Sequence, residues 1–268
     1  MSPSPRHLLQ ETDRSQLRRL LKGYVDGEPK VASDQHKKRP QPPLEKPFDR
    51  KTPLFPLPDP LRVKPANPNI TTCLRDRVSH RRFAKRPISV GQLSYLLWAT
   101  QGVKSVIKDG YATKRTVPSA GARHPFETYL ACLRVAGLAP GLYRYLALSH
   151  QLLPLREDAG LETPLIDACC GQKFCGRTSV VFAWAALPYR TEWRYSCHAY
   201  RAILLDAGHV GQNLYLACEA LGLGTCGIGA YGQQAVDKLF GLDGEDEFVT
   251  YLAPVGYPVF SFSADRIS

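Results

Sequence analysis

Three groups of residues in this 268-residue chain have the types and spacing to do chemistry. The first is Arg115-Thr116-Val117-Pro118-Ser119-Ala120-Gly121-Ala122-Arg123-His124-Pro125, in which a bulky basic lead-in gives way to Pro-Ser-Ala-Gly-Ala. Such a stretch lets main-chain N–H and C=O groups approach a flat ligand closely, while Ser119 adds a hydroxyl and Arg115, Arg123 and His124 add donors. An ordinary loop containing a proline fits the same residues. The second group is Arg77-Val78-Ser79-His80-Arg81. Alternate residues of an extended turn point the same way, so Arg77, Ser79 and Arg81 can converge on one phosphate; a solvated basic turn is the plain alternative. The third is Arg190-Thr191-Glu192-Trp193-Arg194-Tyr195. Arginine stays protonated at any working pH, so Arg194 cannot act as a base, whereas Tyr195 can give or take a proton if its environment allows. A tyrosine at the edge of the core reads equally well there.

The elements that must hold these groups are legible from periodicity. Ser89 with Gln92 three residues later makes a capping box for a helix whose Leu93, Leu96 and Leu97 face inward. Residues 126–135 and 141–147 alternate like strands, the second pairing with 151–155 as a hairpin, and Thr163-Pro164 starts a short helix. The run from Ser179 to Leu187 is continuously apolar, as in a strand buried on both faces. A long helix over about 198–221 repeats Ile203, Ala207, Val210, Leu214, Ala217 and Leu221 every three or four residues. Its Gly208 and Gly211 suit close approach of a second copy, or of another part of the same chain. A glycine-rich turn over Thr225–Gly232 and a strand over Glu247–Val255 follow. The order is not a regular βαβ series, and no G-x-G-x-x-G follows a first strand, which argues against a Rossmann domain.

Composition bounds the rest. A hydrophobic content of 44% supports a real core. The formal charge of +11 comes from scattered Lys and Arg without a nucleic-acid motif, so a basic cleft for a phosphate-bearing small molecule is expected and nucleic acid is not. The eight cysteines form no C-x-x-C pair and no zinc-type spacing, and they read as free thiols buried in a reducing cytosol; Cys169, Cys170 and Cys175 match no iron–sulfur spacing. No signal-peptide core and no membrane-length apolar run is present, so the expectation is cytoplasmic. Residues 1–70 hold 13 of the 22 prolines and read as a basic, Pro-rich arm lying on the body or on a partner, with a short amphipathic helix around Asp13–Gly23. Residues 71–268 form the second unit.

Five blocks carry a resemblance. They are Arg77–Phe83, Leu93–Gly102, the Pro-Ser loop, Gly208–Leu214 running on to Leu221–Gly224, and Pro254–Pro258. In this order, over about residues 72–258, they resemble the nitroreductase superfamily and, more narrowly, its SagB/ThcOx-type branch. The resemblance implies an α+β fold, with a central, mainly antiparallel sheet flanked by helices, and FMN as cofactor. It assigns Arg77, Ser79 and Arg81 to the phosphate and ribityl chain. Pro118, Ser119, Ala120, Gly121 and His124 would meet the flavin of the neighbouring subunit, which makes the protein a homodimer with FMN at the interface. Gly227, Ile228 and Gly229 fall beside the flavin N5 edge, Arg266 is a further phosphate ligand, and Asn213 is either a contact or a helix-packing residue. Ala122 departs from the Asn common in simple nitroreductases. Arg194-Tyr195 resembles the Lys-Tyr pair of azoline-oxidising members.

Two redox functions follow from it. One is NAD(P)H-dependent reduction of small nitro or quinone acceptors through flavin N5; the other is oxidation of azolines in a modified peptide. A flavin-binding scaffold without turnover is the non-enzymatic alternative.

Overall fold

The computed structural model describes residues 18, 21–23 and 31–259. The helix expected over Asp13–Gly23 falls almost wholly outside them, and so does Arg266. The strands are β1 (Phe55–Pro56), β2 (Ile88–Ser89), β3 (Val103–Ile107), β4 (Ala112–Arg115), β5 (Phe126–Cys132), β6 (Val135–Ala136), β7 (Gly141–Leu146), β8 (Gln151–Glu157), β9 (Val180–Ala186), β10 (Gly224–Thr225) and β11 (Phe248–Gly256). The α-helices are α1 (Ile70–Asp76), α2 (Val90–Gln101), α3 (Glu162–Ala168), α4 (Tyr189–Tyr195), α5 (Ala199–Ala220) and α6 (Gln233–Phe240).

One sheet runs β1-β8-β7-β5-β9-β11-β10, every neighbouring pair antiparallel. Every residue of β5, β7 and β9 is buried because both faces are covered. Phe126, Leu130, Phe182 and Trp184 face α2 and α5, while Tyr129, Ala131, Val181 and Ala183 face the layer holding α3 and α6. A strand covered on both sides has no use for alternation, hence the unbroken apolar run through β9. The capping box forms as expected: Gln92 donates its N–H to Ser89 Oγ at 3.0 Å, and Ser89 donates its own to Gln92 Oε1 at 2.9 Å. Leu93, Leu96 and Leu97 are fully buried, and all six apolar positions read for the long helix are buried, five within α5 and Leu221 as its C-cap. Six of the eight cysteines are buried, Cys170 and Cys197 are exposed, and all eight are free. No helix among the described residues is long and apolar enough to cross a membrane.

The described part of the arm is stitched to the body. Gln35 donates its N–H to the Trp193 carbonyl at 2.8 Å, and Trp193 Nε1 donates to the Arg39 carbonyl at 3.0 Å. Lys46 donates its N–H to Glu127 at 2.7 Å and its ammonium to Glu247. Arg144 returns a bond of 2.9 Å to the Lys46 carbonyl.

Three donors expected around the Pro-Ser loop point into the body instead. Arg115 bonds Gln101 Oε1 at 2.8 Å, and burial lowers its pKa to about 10, so it stays charged at neutral pH. Arg123 is 1% exposed and donates to the Tyr111 carbonyl at 3.1 Å. His124 pairs its Nε2 with the Thr113 carbonyl at 3.1 Å, and burial, helped by Arg115 nearby, lowers its pKa from 6.5 to about 3. A folded value below the unfolded one means that the unfolded chain takes the proton first, so stability falls as pH drops below about 6.5. Urea unfolding should lose roughly 2 kcal/mol from this residue between pH 6.5 and about pH 4.5. His124→Asn, which tolerates the positive φ of 45° at this position, should flatten that slope; an unchanged slope would show that His124 is not the group responsible.

Candidate functional site

The Pro-Ser loop is built at the cost of backbone strain. Gly121, Ala122 and His124 all have positive φ, of 57°, 53° and 45°. Glycine takes this region freely, whereas an alanine there costs on the order of 1 kcal/mol, so the surroundings must hold Ala122 in place. They do so through Asp206 on α5. Ser119 Oγ donates to Asp206 Oδ2 at 2.5 Å, Ala120 N–H donates to Oδ1 at 3.1 Å, and His124 N–H donates back to Ser119 Oγ at 2.8 Å. Burial raises the Asp206 carboxyl, and the bonds from Ser119 and Ala120 oppose the shift. Pro118 lies exposed at the entrance of the loop.

Against this loop stand Arg194 and Tyr195, at the end of α4. A Cβ on Gly121 would come within 2.6 Å of the Tyr195 hydroxyl and 2.8 Å of Arg194 Cδ, so the third residue group of the sequence meets the first at a position that only glycine fits. Ser196 follows at φ 50°, ψ −131°, a conformation that turns the chain sharply and fixes where Tyr195 ends. Arg194 Nη1 donates to the Tyr111 hydroxyl at 2.6 Å, and Gln35 Nε2 donates to the same oxygen at 2.8 Å. Arg123 stacks on both Tyr111 and Trp193, its guanidinium carbon 5.3 Å and 5.1 Å from their ring centres.

A second cluster gathers Arg77, Ser79 and the glycine-rich turn. Ser79 bridges Thr225 in a parallel register, and His80 donates its N–H to the Thr225 carbonyl at 2.9 Å, so the two segments run side by side. Tyr215 on α5 joins them: its hydroxyl lies 2.9 Å from Ser79 Oγ, takes the Gly227 N–H at 2.8 Å, and its ring lies 5.3 Å under the Arg77 guanidinium. Arg81 is exposed. Ile228 is buried and exchanges main-chain bonds with Leu252, while Gly229 opens onto free space. Tyr251 packs so close to Gly227 that no side chain fits there, and it also sits within 2.5 Å of where a Gly211 Cβ would be. The approach at Gly211 is therefore within the chain; Gly208 has nothing within 4 Å and remains the open position of the pair.

Helix α5 carries both clusters. Asp206 and Tyr215 stand nine residues apart, about 13 Å along the axis. Between them Asn213 donates to the Ala99 carbonyl at 2.9 Å and more weakly to that of Thr116 at 3.5 Å, which is the helix-packing role. Asp206, Tyr215 and Tyr251 were not among the residues expected at the site. Asp206 had a signal, since a carboxylate in register with Ile203 and Val210 lands on a buried face and needs a partner. Tyr215 had none, because its partner Ser79 lies 136 residues away.

Comparison with known proteins identifies the family. The chain is 34% identical over 181 residues to a protein named nitroreductase MJ1384 from Methanocaldococcus jannaschii, covering 67% of this chain and 86% of that one. It is 29% identical over 142 residues to the trifolitoxin-processing protein TfxB of Rhizobium leguminosarum bv. trifolii, covering half of this chain and only 38% of the relative. A chain of the Escherichia coli microcin synthetase McbBCD complex, solved with truncated pro-MccB17 bound, shares the fold. It superposes with a TM-score of 0.60 at 18% identity, over 97% of this chain and 99% of that one. The model of the nitroreductase family matches residues 74–257, from the helix before Arg77 to the end of the last strand, and the chain belongs to that family.

Proposed function

We propose that this protein is an FMN-dependent oxidoreductase that uses NAD(P)H to reduce small nitro- or quinone-type acceptors. The observation that carries the reading is the junction at Tyr215, which sets a hydroxyl and a guanidinium beside a main-chain edge rich in glycine. These are the groups FMN asks for: cations and a hydroxyl for its phosphate, and bare backbone for its ring. Arg77, Ser79 and Arg81 would hold the phosphate, and the turn Gly227, Ile228 and Gly229 would pack its main chain beside the ring, the N–H groups of Gly227 and Ile228 being already given to Tyr215 and Leu252. Bound there, FMN supplies hydride transfer at N5; the chain's own residues bind, orient and exclude water.

A second copy belongs to this reading. The Pro-Ser loop and the Arg77 cluster stand about 13 Å apart along α5, so one subunit's loop would complete the other's site. On the open side of α5, Leu204 and Leu205 are 60% and 53% exposed beside Gly208, an apolar face suited to a homodimer. The buried free thiols suit a reducing cytosol.

Azoline oxidation in a modified peptide is the second reading. It is favoured by the likeness to TfxB, named for processing trifolitoxin, and by the Tyr195 hydroxyl lying against the Pro-Ser loop. Arg194 cannot be the base that such an oxidation requires, because it stays protonated; Tyr195 would have to serve. Reduction of a small acceptor asks less, since water can supply the proton.

Three outcomes are expected. The purified protein should be yellow with FMN, and Arg77→Ala with Arg81→Ala should weaken flavin binding by about a hundredfold or more, each charge-assisted contact contributing roughly 1.5–3 kcal/mol. Full flavin retention in that double variant would rule the phosphate assignment out. Leu204→Glu should turn the dimer into monomer in light scattering and release flavin with it; a flavin-loaded monomer of the unmodified protein would sink the shared site. Tyr195→Phe should cost NADPH-driven reduction of a quinone little, whereas an azoline dehydrogenase should lose roughly 10²–10⁴-fold. Brisk oxidation of a thiazoline peptide by the unmodified protein, abolished in Tyr195→Phe, would replace the first reading with the second.

A further inference from the structure

A chain of formal charge +11 carries a cleft with an acidic rim. The cleft, of about 530 Å³, opens between arm and body, with Pro42, Pro43 and Pro47 on one wall and Pro188, Tyr189 and Phe248 on the other. Of its charged residues, Lys46 and Arg190 are already matched, by Glu247 and Glu127 respectively. Glu192, Glu245 and Asp246 have no cationic partner within ion-pair distance among the described residues, so they set the sign of the local field. The rim is preorganised: Asp243 Oδ1 accepts the N–H groups of Glu245, Asp246 and Glu247 at 2.8 to 2.9 Å, which fixes the turn that presents them. A second cleft of about 360 Å³ shares Tyr189, Glu192 and Tyr200 with the first and continues past Asp34, which is matched by Lys37 and Arg39, to Ser196 and Cys197, beside Tyr195. The two form one groove running along α4 toward the loop cluster.

A further feature narrows the ligand. Arg190 lines the cleft at 3% exposure, and while its Nη2 bonds Glu127, its Nη1 has no acceptor among the described residues. A buried guanidinium N–H without a partner is costly and calls for an acceptor oxygen. The groove thus sets carboxylates at its rim and proline and aromatic faces between, over a floor in which Arg190 keeps one enclosed N–H without a partner among the described residues. A phosphate-bearing ligand would be repelled by that rim, whereas an extended peptide matches it, with its main chain along the proline and aromatic faces and a lysine or arginine side chain for the carboxylates.

We propose that this groove docks an extended peptide segment bearing lysine or arginine. The proposal goes beyond the flavin chemistry and does not depend on it. The rest of the molecule works as an internal control, because a strongly positive protein attracts a cationic peptide only where its field is locally reversed.

Fluorescence anisotropy on the full chain, with its flavin content recorded for each sample, tests the proposal. The probes are labelled peptides of about ten residues, alternating Lys-Pro, Glu-Pro or Ser-Pro so that all three keep the same extended form. The Lys-Pro peptide should bind saturably with one site per chain, more weakly as salt rises, and the Glu-Pro peptide should not bind. Glu245→Lys with Asp246→Lys, both on the exposed turn, should weaken Lys-Pro binding by about tenfold or more at unchanged flavin content, and Glu192→Gln should weaken it less. Equal binding of Glu-Pro, no binding of Lys-Pro, or an unchanged affinity in the double variant would overturn the proposal. So would a change of oligomeric state in that variant, which would make the groove a contact between copies. Failure with flavin intact leaves the oxidoreductase reading standing, and loss of flavin in the Arg77 and Arg81 variant leaves this one standing.

Discussion

A buried carboxylate holds this structure to its arm. Glu127, in the middle of the sheet and 4% exposed, takes the Arg190 guanidinium at 2.5 Å and the Lys46 N–H at 2.7 Å on the same oxygen. Taking two charges out of water costs more than an ion pair alone returns, so such a pair does not by itself make a fold stable. Once it exists, however, neither partner can be removed cheaply, because the other is left charged and dry at a cost of about 3–5 kcal/mol. Glu127 therefore works as a constraint. It fixes where α4 starts, through Arg190, and where the arm crosses the sheet, through Lys46. Glu247, just before β11 and two strands over, repeats the device, taking the Lys46 ammonium and the Tyr129 hydroxyl. A Pro-rich segment that could build no core of its own is ordered by polar groups the body would otherwise leave unsatisfied.

Helix α5 transmits a second constraint. Its buried face follows from apolar periodicity, but its function follows from three polar residues: Asp206 holds the strained loop, Asn213 ties α2 and the loop's lead-in, and Tyr215 joins Ser79 to Gly227. Each bond crosses between elements distant in sequence, and together they make the spacing of the two candidate clusters a property of one rigid rod. The strain at Ala122 fits this picture, since an unfavourable backbone conformation persists only where its surroundings over-determine it.

This division explains what could be read from the chain. Repeating apolar positions gave α2, α5, β9 and the β7–β8 hairpin, because burial acts on every turn and every second residue in the same way. The β3–β4 hairpin went unread, although Asp109-Gly110 marks its turn with φ of 51° and 92°, because Lys104, Ser105 and Lys114 obscure any alternation. Arg115, Arg123 and His124 were expected to face a ligand since charged residues are rarely buried; here each finds a carbonyl, amide or aromatic partner that makes burial tolerable. The residue types of the candidate site were legible, at Arg77, Ser79, the Pro-Ser loop and Arg194-Tyr195. The connections that orient them were not, as no local pattern encodes a hydroxyl meeting a serine across the fold.

The arm and the candidate site meet at Tyr111. Its hydroxyl accepts from Gln35 of the arm and from Arg194 of α4, while Arg123 stacks on its ring. A lysine in place of Arg194 would bring a point charge on a flexible stem, able to lose its proton when desolvated. The guanidinium instead offers several donors in a fixed plane and keeps its charge. With one donor spent on Tyr111, the remainder of the Arg194 head is a permanent cation of fixed position beside Tyr195 and Gly121. Such a group can bind and polarise a carbonyl or anionic oxygen, but it cannot carry a proton away. On the reading proposed above, proton transfer falls to Tyr195 or to water, and a strong base would have to come from the substrate or from solvent. On that reading an arginine at position 194 suits binding and orientation better than proton chemistry, and the arm, through Gln35 on the same Tyr111 hydroxyl, helps to hold it in place.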